Sequence, residues 1–302
     1  MKKIISILVI SGLIFSTTQV FGQQLTVGIP PKEDLKVTIE QNGTAHVVHQ
    51  VKGDKLQPVQ VEAITGNMTN FSVTDKDGNS VQYSTLSRSP MTILILPTDR
   101  NMTYIKYDLP NIVSYKNGVW EWNYFEPSDT TFTDFYFPKG VDVIWTYDTP
   151  VYLGEQGLRQ HGNGFTLHYV INEPVTNQNV QWQGKSFDVG IRTVSGLGSY
   201  VFDQSQKTYA FDINTPKSFI TVIMPEKLLW GPYDVAINGN KTLHKSYYKN
   251  GTHVWIGFRP DSAGTVQITG TTTVPEFPFF VPLAIALSAV VLLRFTNRLS
   301  FH

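Results

Sequence analysis

The chain has 302 residues, enough for two ordinary domains, and its 24 basic side chains balance 24 acidic ones. Without residues 1–22 and 274–302 the count is 20 basic to 23 acidic, which argues against a nucleic-acid partner, because such partners are met by a basic excess. There is no cysteine, so disulfides, thiol nucleophiles and cysteine-held metals are excluded, and any sandwich must be held by its core alone.

Lys2 and Lys3 precede an apolar block of about 12 residues, Ile4 to Phe15, and Val20-Phe21-Gly22 offers a small-residue cleavage site. This is the pattern of a secretory signal peptide over residues 1–22, cut before Gln23. The alternative is an uncleaved N-terminal anchor. Residues 23–34 form a lead-in, with Pro30-Pro31 blocking regular structure. Alternating residues 35–40 and 44–51 then flank Asn42-Gly43, the strongest short hairpin signal, because both turn residues accept positive φ. The device recurs at Asp77-Gly78, between 71–74 and 81–83, and at Asn117-Gly118, between 113–115 and 119–125. Further strands are expected at 91–96, 103–107, 141–147 and 165–171. Asn-Gly pairs at 238–239 and 250–251 punctuate the last third, and residues 226–230 suit a single helical turn. Short strands with a turn every eight to twelve residues predict antiparallel sandwiches or barrels.

Residues 172–179 are polar, carry Pro174 and lack strand character, so the boundary is expected there. The predicted layout is a first β-sandwich domain over 33–172 and a second, membrane-proximal one over 176–272. A single large sandwich is the alternative. From Phe277 to Leu293 there is no charge, and Arg294 and Arg298 follow. A run of this length sits at the lower limit for a membrane span, and arginines behind it are expected on the cytoplasmic side. The fold class expected is therefore all-β: two tandem antiparallel, immunoglobulin-like β-sandwich domains plus one C-terminal transmembrane helix over 279–298.

The second half carries a recognisable order: Val222-Ile-Met-Pro-Glu-Lys-Leu-Leu-Trp-Gly-Pro-Tyr-Asp-Val235, then Asn250-Gly-Thr-His-Val-Trp-Ile-Gly-Phe258, then 264–271, then Pro275, Glu276, Phe277 and Pro278 directly before the apolar run. Over residues 180–298 this resembles a β-rich, membrane-proximal domain of archaeal exported proteins with a PEF-CTERM tail. The resemblance implies that Pro275–Pro278 is a sorting motif read by a membrane transpeptidase-like enzyme, an archaeosortase. It implies no biochemical activity.

Six Asn-x-Ser/Thr sequons, at Asn42, Asn67, Asn70, Asn101, Asn240 and Asn250, are candidate glycan acceptors on an exported surface. Asp75 to Asn79 places acids like a calcium loop, but Ser80 and Leu86 stand where an EF-hand needs Gly and Glu, so a hairpin turn is expected. His46 and His49 are three apart on a strand and point to opposite faces; His244 and His253 are expected to face each other across a hairpin. Ser195 to Ser199 is Gly-rich but lacks a strand-to-helix context and reads as a loop. Glu121 and Glu126 flank aromatics, yet a spacing of five puts them on opposite faces, unlike the paired carboxylates of a glycosidase. Trp120, Trp122 and Tyr124 share one strand face: exposed they form a ligand platform, buried they are core.

The function expected is a membrane-anchored, extracellular surface protein, single-pass with its C-terminus cytoplasmic. Its role is structural, adhesive or partner-binding at the envelope. The first alternative is a carbohydrate- or ligand-binding module using 120–125; the second is a secreted hydrolase. Expected partners are membrane lipid, the sorting transpeptidase and an envelope protein or glycan. No residue is assigned to catalysis or to a metal, and no cofactor is expected.

Overall fold

The computed structural model describes residues 28–87, 90–127, 130–154, 157–162, 164–271 and 286–288. The predicted signal peptide, the Pro275–Pro278 motif and all of the predicted tail except the helical residues 286–288 lie outside this range. Among the described residues no helix is long and apolar enough to cross a membrane.

The protein is nearly all β and β-sandwich-like. The first sheet has six strands, in spatial order Leu158–Gln160, Thr130–Tyr136, Glu33–Ile39, Ala45–Lys52, Met102–Leu109 and Thr69–Asp75. The second has five: Thr149–Tyr152, Val143–Thr146, Phe165–Tyr169, Val119–Tyr124 and Ser114–Lys116. A three-stranded sheet of Val59–Glu62, Thr92–Ile95 and Tyr83–Leu86 completes the N-terminal unit. The C-terminal unit is built from two five-stranded sheets. One runs Val175–Trp182, Lys185–Arg192, Ile220–Pro225, His253–Phe258, His244–Lys249; the other Leu197–Asp203, Thr208–Ile213, Gly264–Thr269, Asp234–Ile237, Asn240–Lys241.

Alternation of side chains explains how the sheets pair. In Glu33–Ile39 the odd positions Leu35, Val37 and Ile39 are buried and the even ones are not. A strand with one apolar face lies down on another sheet, and each aliphatic side chain buried that way contributes ~1.5–3 kcal/mol. One large cluster gathers Val37 through Tyr169 from the sheets of the N-terminal unit, and a separate one gathers Val180 through Ile268 from both sheets of the C-terminal unit. The turns follow the expected chemistry. Asn117 and Gly118 sit at φ 51° and 86°, Asn238 and Gly239 at 49° and 82°, which gives the twist that two-residue hairpins need.

Three expectations change. The hairpin expected at Asp77-Gly78 forms but is shorter than 71–74 against 81–83, closing with the Val81 amide donating to the Val73 carbonyl at 3.1 Å. After one bridge, Thr74 to Ser80, the chain leaves for the three-stranded sheet, where Tyr83–Leu86 pairs with Thr92–Ile95. The Asp75 carboxylate fixes the departure by accepting the amides of Asp77 and Asn79 at 2.9 Å each. The polar stretch 172–179 is strand from Val175 onward, because it forms a sheet edge whose polar residues face water; its buried Gln178 accepts the Tyr209 hydroxyl. Ser195–Ser199 is loop only at its start, since Leu197–Asp203 pairs with Thr208–Ile213.

One pairing had no sequence signal. Glu33–Ile39 runs parallel to Thr130–Tyr136. Where the two meet, Glu33 and His49 are both buried, the Glu33 carboxylate 2.9 Å from His49 Nδ1. His49 Nε2 lies 2.8 Å from the Tyr107 hydroxyl, which accepts the Ile64 amide, and Thr130 Oγ1 donates to Glu33. Burial pushes the Tyr107 hydroxyl well above its ordinary pKa, so it stays a donor. This chain of bonds ties the sheet's second, third, fourth and fifth strands together.

Candidate functional site

The outer face of the second sheet is where the two units meet. Strand alternation sends Val119, Glu121, Val143, Trp145 and His168 away from the N-terminal core. An outward face is expected to be solvated, yet Val143 and Trp145 are buried, because Phe219 of the C-terminal unit lies on them. The Phe219 ring stands 4.8 Å from Trp145 and 5.0 Å from His168, and the Arg259 guanidinium lies 4.8 Å from its centre. Tyr152 and Tyr248 meet at 4.4 Å on the flank. Gly257 explains how close the approach is: a Cβ there would stand 2.6 Å from Pro150 Cγ and 3.1 Å from Trp145.

Charged clamps surround this aromatic joint. Arg192 donates through Nη1 to Asp142 at 2.7 Å and through Nε to Glu173 at 3.1 Å. Burial pushes the Glu173 carboxyl upward in pKa, opposed by the Arg192 charge. Arg192 itself is raised despite its burial, held by Asp142 and Glu173. Arg259 donates to Asp148 at 2.6 Å and to the Lys217 carbonyl at 2.9 Å. His168 is depressed, first by burial; Arg259 adds to this, while Glu121 and Asp148 oppose it. Its Nδ1 is buried without a hydrogen-bond partner.

Beside the joint opens a cleft of about 530 Å³ between residues 147–150 of one unit and 241–245, Gly257, Arg259 and Asp261 of the other. Its floor is the hairpin turn at Tyr147 and Asp148, with φ of 47° and 62°. Positive φ is uncommon for a bulky residue such as tyrosine. It is held here by the Tyr147 hydroxyl donating to the Gly164 carbonyl at 2.6 Å and by the Asp148–Arg259 pair. The rim presents Leu243, 94% exposed, together with His244 and Lys245. Among the described residues Lys245 makes no ion pair. The cleft therefore offers an exposed apolar contact beside cationic side chains, a lining suited to a partner surface.

The residues singled out in sequence go elsewhere. Trp122 and Tyr124 are buried and Trp120 packs partly buried against the same core, so they present no platform to a ligand. The physical reason is that their face meets Phe135 and Phe165: Tyr124 to Phe135 is edge-on at 4.9 Å, Trp122 to Phe135 at 6.0 Å. The Tyr124 hydroxyl reaches Thr133 Oγ1, which donates to Glu126. Burial raises the Glu126 carboxyl. Glu121 instead stands 3.7 Å from His168, on the joint face. His46 and His49 do diverge, His46 turning outward to Asp108 and Glu40. His244 and His253 do not face each other. In the register of their hairpin His244 pairs with Phe258, which puts the two histidines at opposite ends.

All six sequon asparagines are exposed, in different settings. Asn42 and Asn250 sit in turns, where the side-chain oxygen accepts the amides of Thr44 and Thr252 respectively. Asn70 differs: its amide nitrogen, the atom a glycan would take, donates to Asp108 at 2.6 Å. The joint had one signal in sequence, the aromatic density at Trp145, but alternation alone could not say that its outward face would be covered.

No family model matches the chain, and no curated protein matches it. A multidomain protein including DUF1735 from Bacteroides ovatus, solved as a crystal structure, is 9% identical over 81% of this chain and 92% of its own. The TM-score is 0.19, too low for that likeness to carry an argument.

Proposed function

We propose that the protein is a membrane-tethered, extracellular surface protein made of two tandem immunoglobulin-like sandwiches, with a partner-binding role at the envelope and no catalysis. The carrying observation is where the chain leaves the C-terminal unit. Arg192, Phe219 and Arg259 stand at the strand ends that meet the N-terminal unit, whereas Thr271 is bonded to Trp230 beyond the opposite ends. An apolar tail following Thr271 thus holds the joint and its cleft away from the anchor, with the N-terminal unit outermost. The clamped joint supports a fixed angle between the units, which suits display of a binding surface. The leader pattern, the sequons and the run from Phe277 to Leu293 favour the same address, and the tail is proposed as a transmembrane helix or sorting signal.

Protease treatment of intact cells, followed by fractionation, tests this reading. The proposal expects the N-terminal unit to be cut while the cells are whole and the chain to be recovered with membranes. A chain that is protected in intact cells and recovered in the soluble interior would refute it.

A further inference from the structure

We infer that the free end of the C-terminal unit is a lipid-contact face, with Trp230 seated at headgroup level. The inference rests on the tether just proposed. Four observations meet at this end. Trp230 is 46% exposed, although its chain neighbours Leu228 and Leu229 are completely buried. The last strand ends beside it: Thr271 donates its amide to the Trp230 carbonyl at 3.0 Å and its hydroxyl to the Gly231 carbonyl at 2.8 Å. Lys207 Nζ donates to the Thr271 carbonyl at 2.9 Å, so the exit point is fixed from both sides. Lys227, also exposed, stands on the same turn.

The length of chain that follows decides the occupant. Phe277, where the uncharged run begins, lies six positions beyond Thr271. Six fully extended steps span at most ~20 Å. A run that enters the bilayer at Phe277 therefore keeps Trp230 within that distance of the surface. Tryptophan is favoured at the membrane–water interface because its ring is apolar and its indole N–H wants a polar partner. Lysines beside it reach phosphate oxygens while their stems lie on apolar surface. The opposite end of the unit is occupied by the joint with Phe219, so this is the end of the C-terminal unit left open to lipid.

The test uses the full chain reconstituted in vesicles of phosphatidylcholine and phosphatidylglycerol carrying a nitroxide quencher at headgroup depth. Wild type is compared with Trp230→Phe, with flotation reporting vesicle attachment and thermal unfolding reporting the fold. The expected result is equal flotation and unfolding, with wild type losing the emission of one tryptophan out of six that the variant does not lose. Equal quenching of two floating chains overturns the lipid-contact face and leaves the tether standing. A chain that does not float overturns the tether and this inference with it.

Discussion

The buried clusters around Glu33–His49 and Arg192–Glu173 do different work with the same chemistry. Glu33 and His49 lie inside the N-terminal core with their side chains fully out of water. Arg192 and Glu173 lie between the units with side chains 10% and 6% exposed, and their third partner, Asp142, is 46% exposed. The first pair lies wholly within the N-terminal core and ends on Tyr107, whose hydroxyl accepts the Ile64 amide. The second is open at one edge and couples residues 50 positions apart in sequence, Arg192 in the C-terminal unit and Asp142 in the N-terminal one. A sealed pair contributes to whether the unit folds at all. A clamp with one wet partner contributes to how two folded units are held.

The largest effect is expected from breaking the sealed pair. His49→Ala leaves the Glu33 carboxylate buried with only Thr130 to serve it, and removing one partner of a buried pair costs ~3–5 kcal/mol. Urea unfolding followed by tryptophan emission should show the N-terminal unit, which holds Trp120, Trp122 and Trp145, lose unfolding free energy by that amount. A loss under ~1 kcal/mol would mean that the pair does not organise this sheet. Next comes Arg192→Leu at the joint. It strands Glu173, but Asp142 returns to water, so the expected loss lies below the ~3–5 kcal/mol of a fully sealed pair. The distinguishing readout is coupling. Calorimetry should resolve two unfolding transitions in the variant where the wild type shows one, and small-angle scattering should broaden. A variant that keeps a single sharp transition would show that Phe219 and Trp145 hold the joint without the clamp.

The same contrast explains what could be read from sequence. Local signals carried far: Asn-Gly pairs place hairpins at Asn42-Gly43, Asn117-Gly118 and Asn238-Gly239 because turn chemistry acts over two residues. The sealed pair was half legible. Opposite orientations of His46 and His49 follow from alternation, but the partner Glu33 is brought near only by tertiary pairing, including a parallel pair with residues 130–136. The strand beginning at Val175 was missed because edge strands tolerate polar residues, so composition argued for a linker. The joint was least legible. Val143, Trp145 and His168 occupy positions that alternation assigns to solvent, and only the arrival of Phe219 from the other unit buries them.

The smallest expected effect, and the one that separates the two clusters most finely, is the pH response of His168. Its folded pKa is depressed below the ordinary value of ~6.5, with burial the main cause. Between that ordinary value and the lower folded one, the unfolded chain binds a proton that the folded chain does not. Stability contributed by neutral His168 is therefore full above ~6.5, falls as pH drops through the window, and levels off below the folded value. Glu173 acts with the opposite sign. Its raised carboxyl takes a proton in the folded state before the unfolded state does, so acidification through its own window favours folding. The wild-type profile carries both slopes, and His168→Gln removes only the first. Unfolding midpoints taken from pH 8 down to pH 5 should fall more steeply in wild type than in His168→Gln. Parallel profiles would mean that His168 does not sense the joint, and that the buried face around Phe219 is wetter than its packing against Trp145 implies.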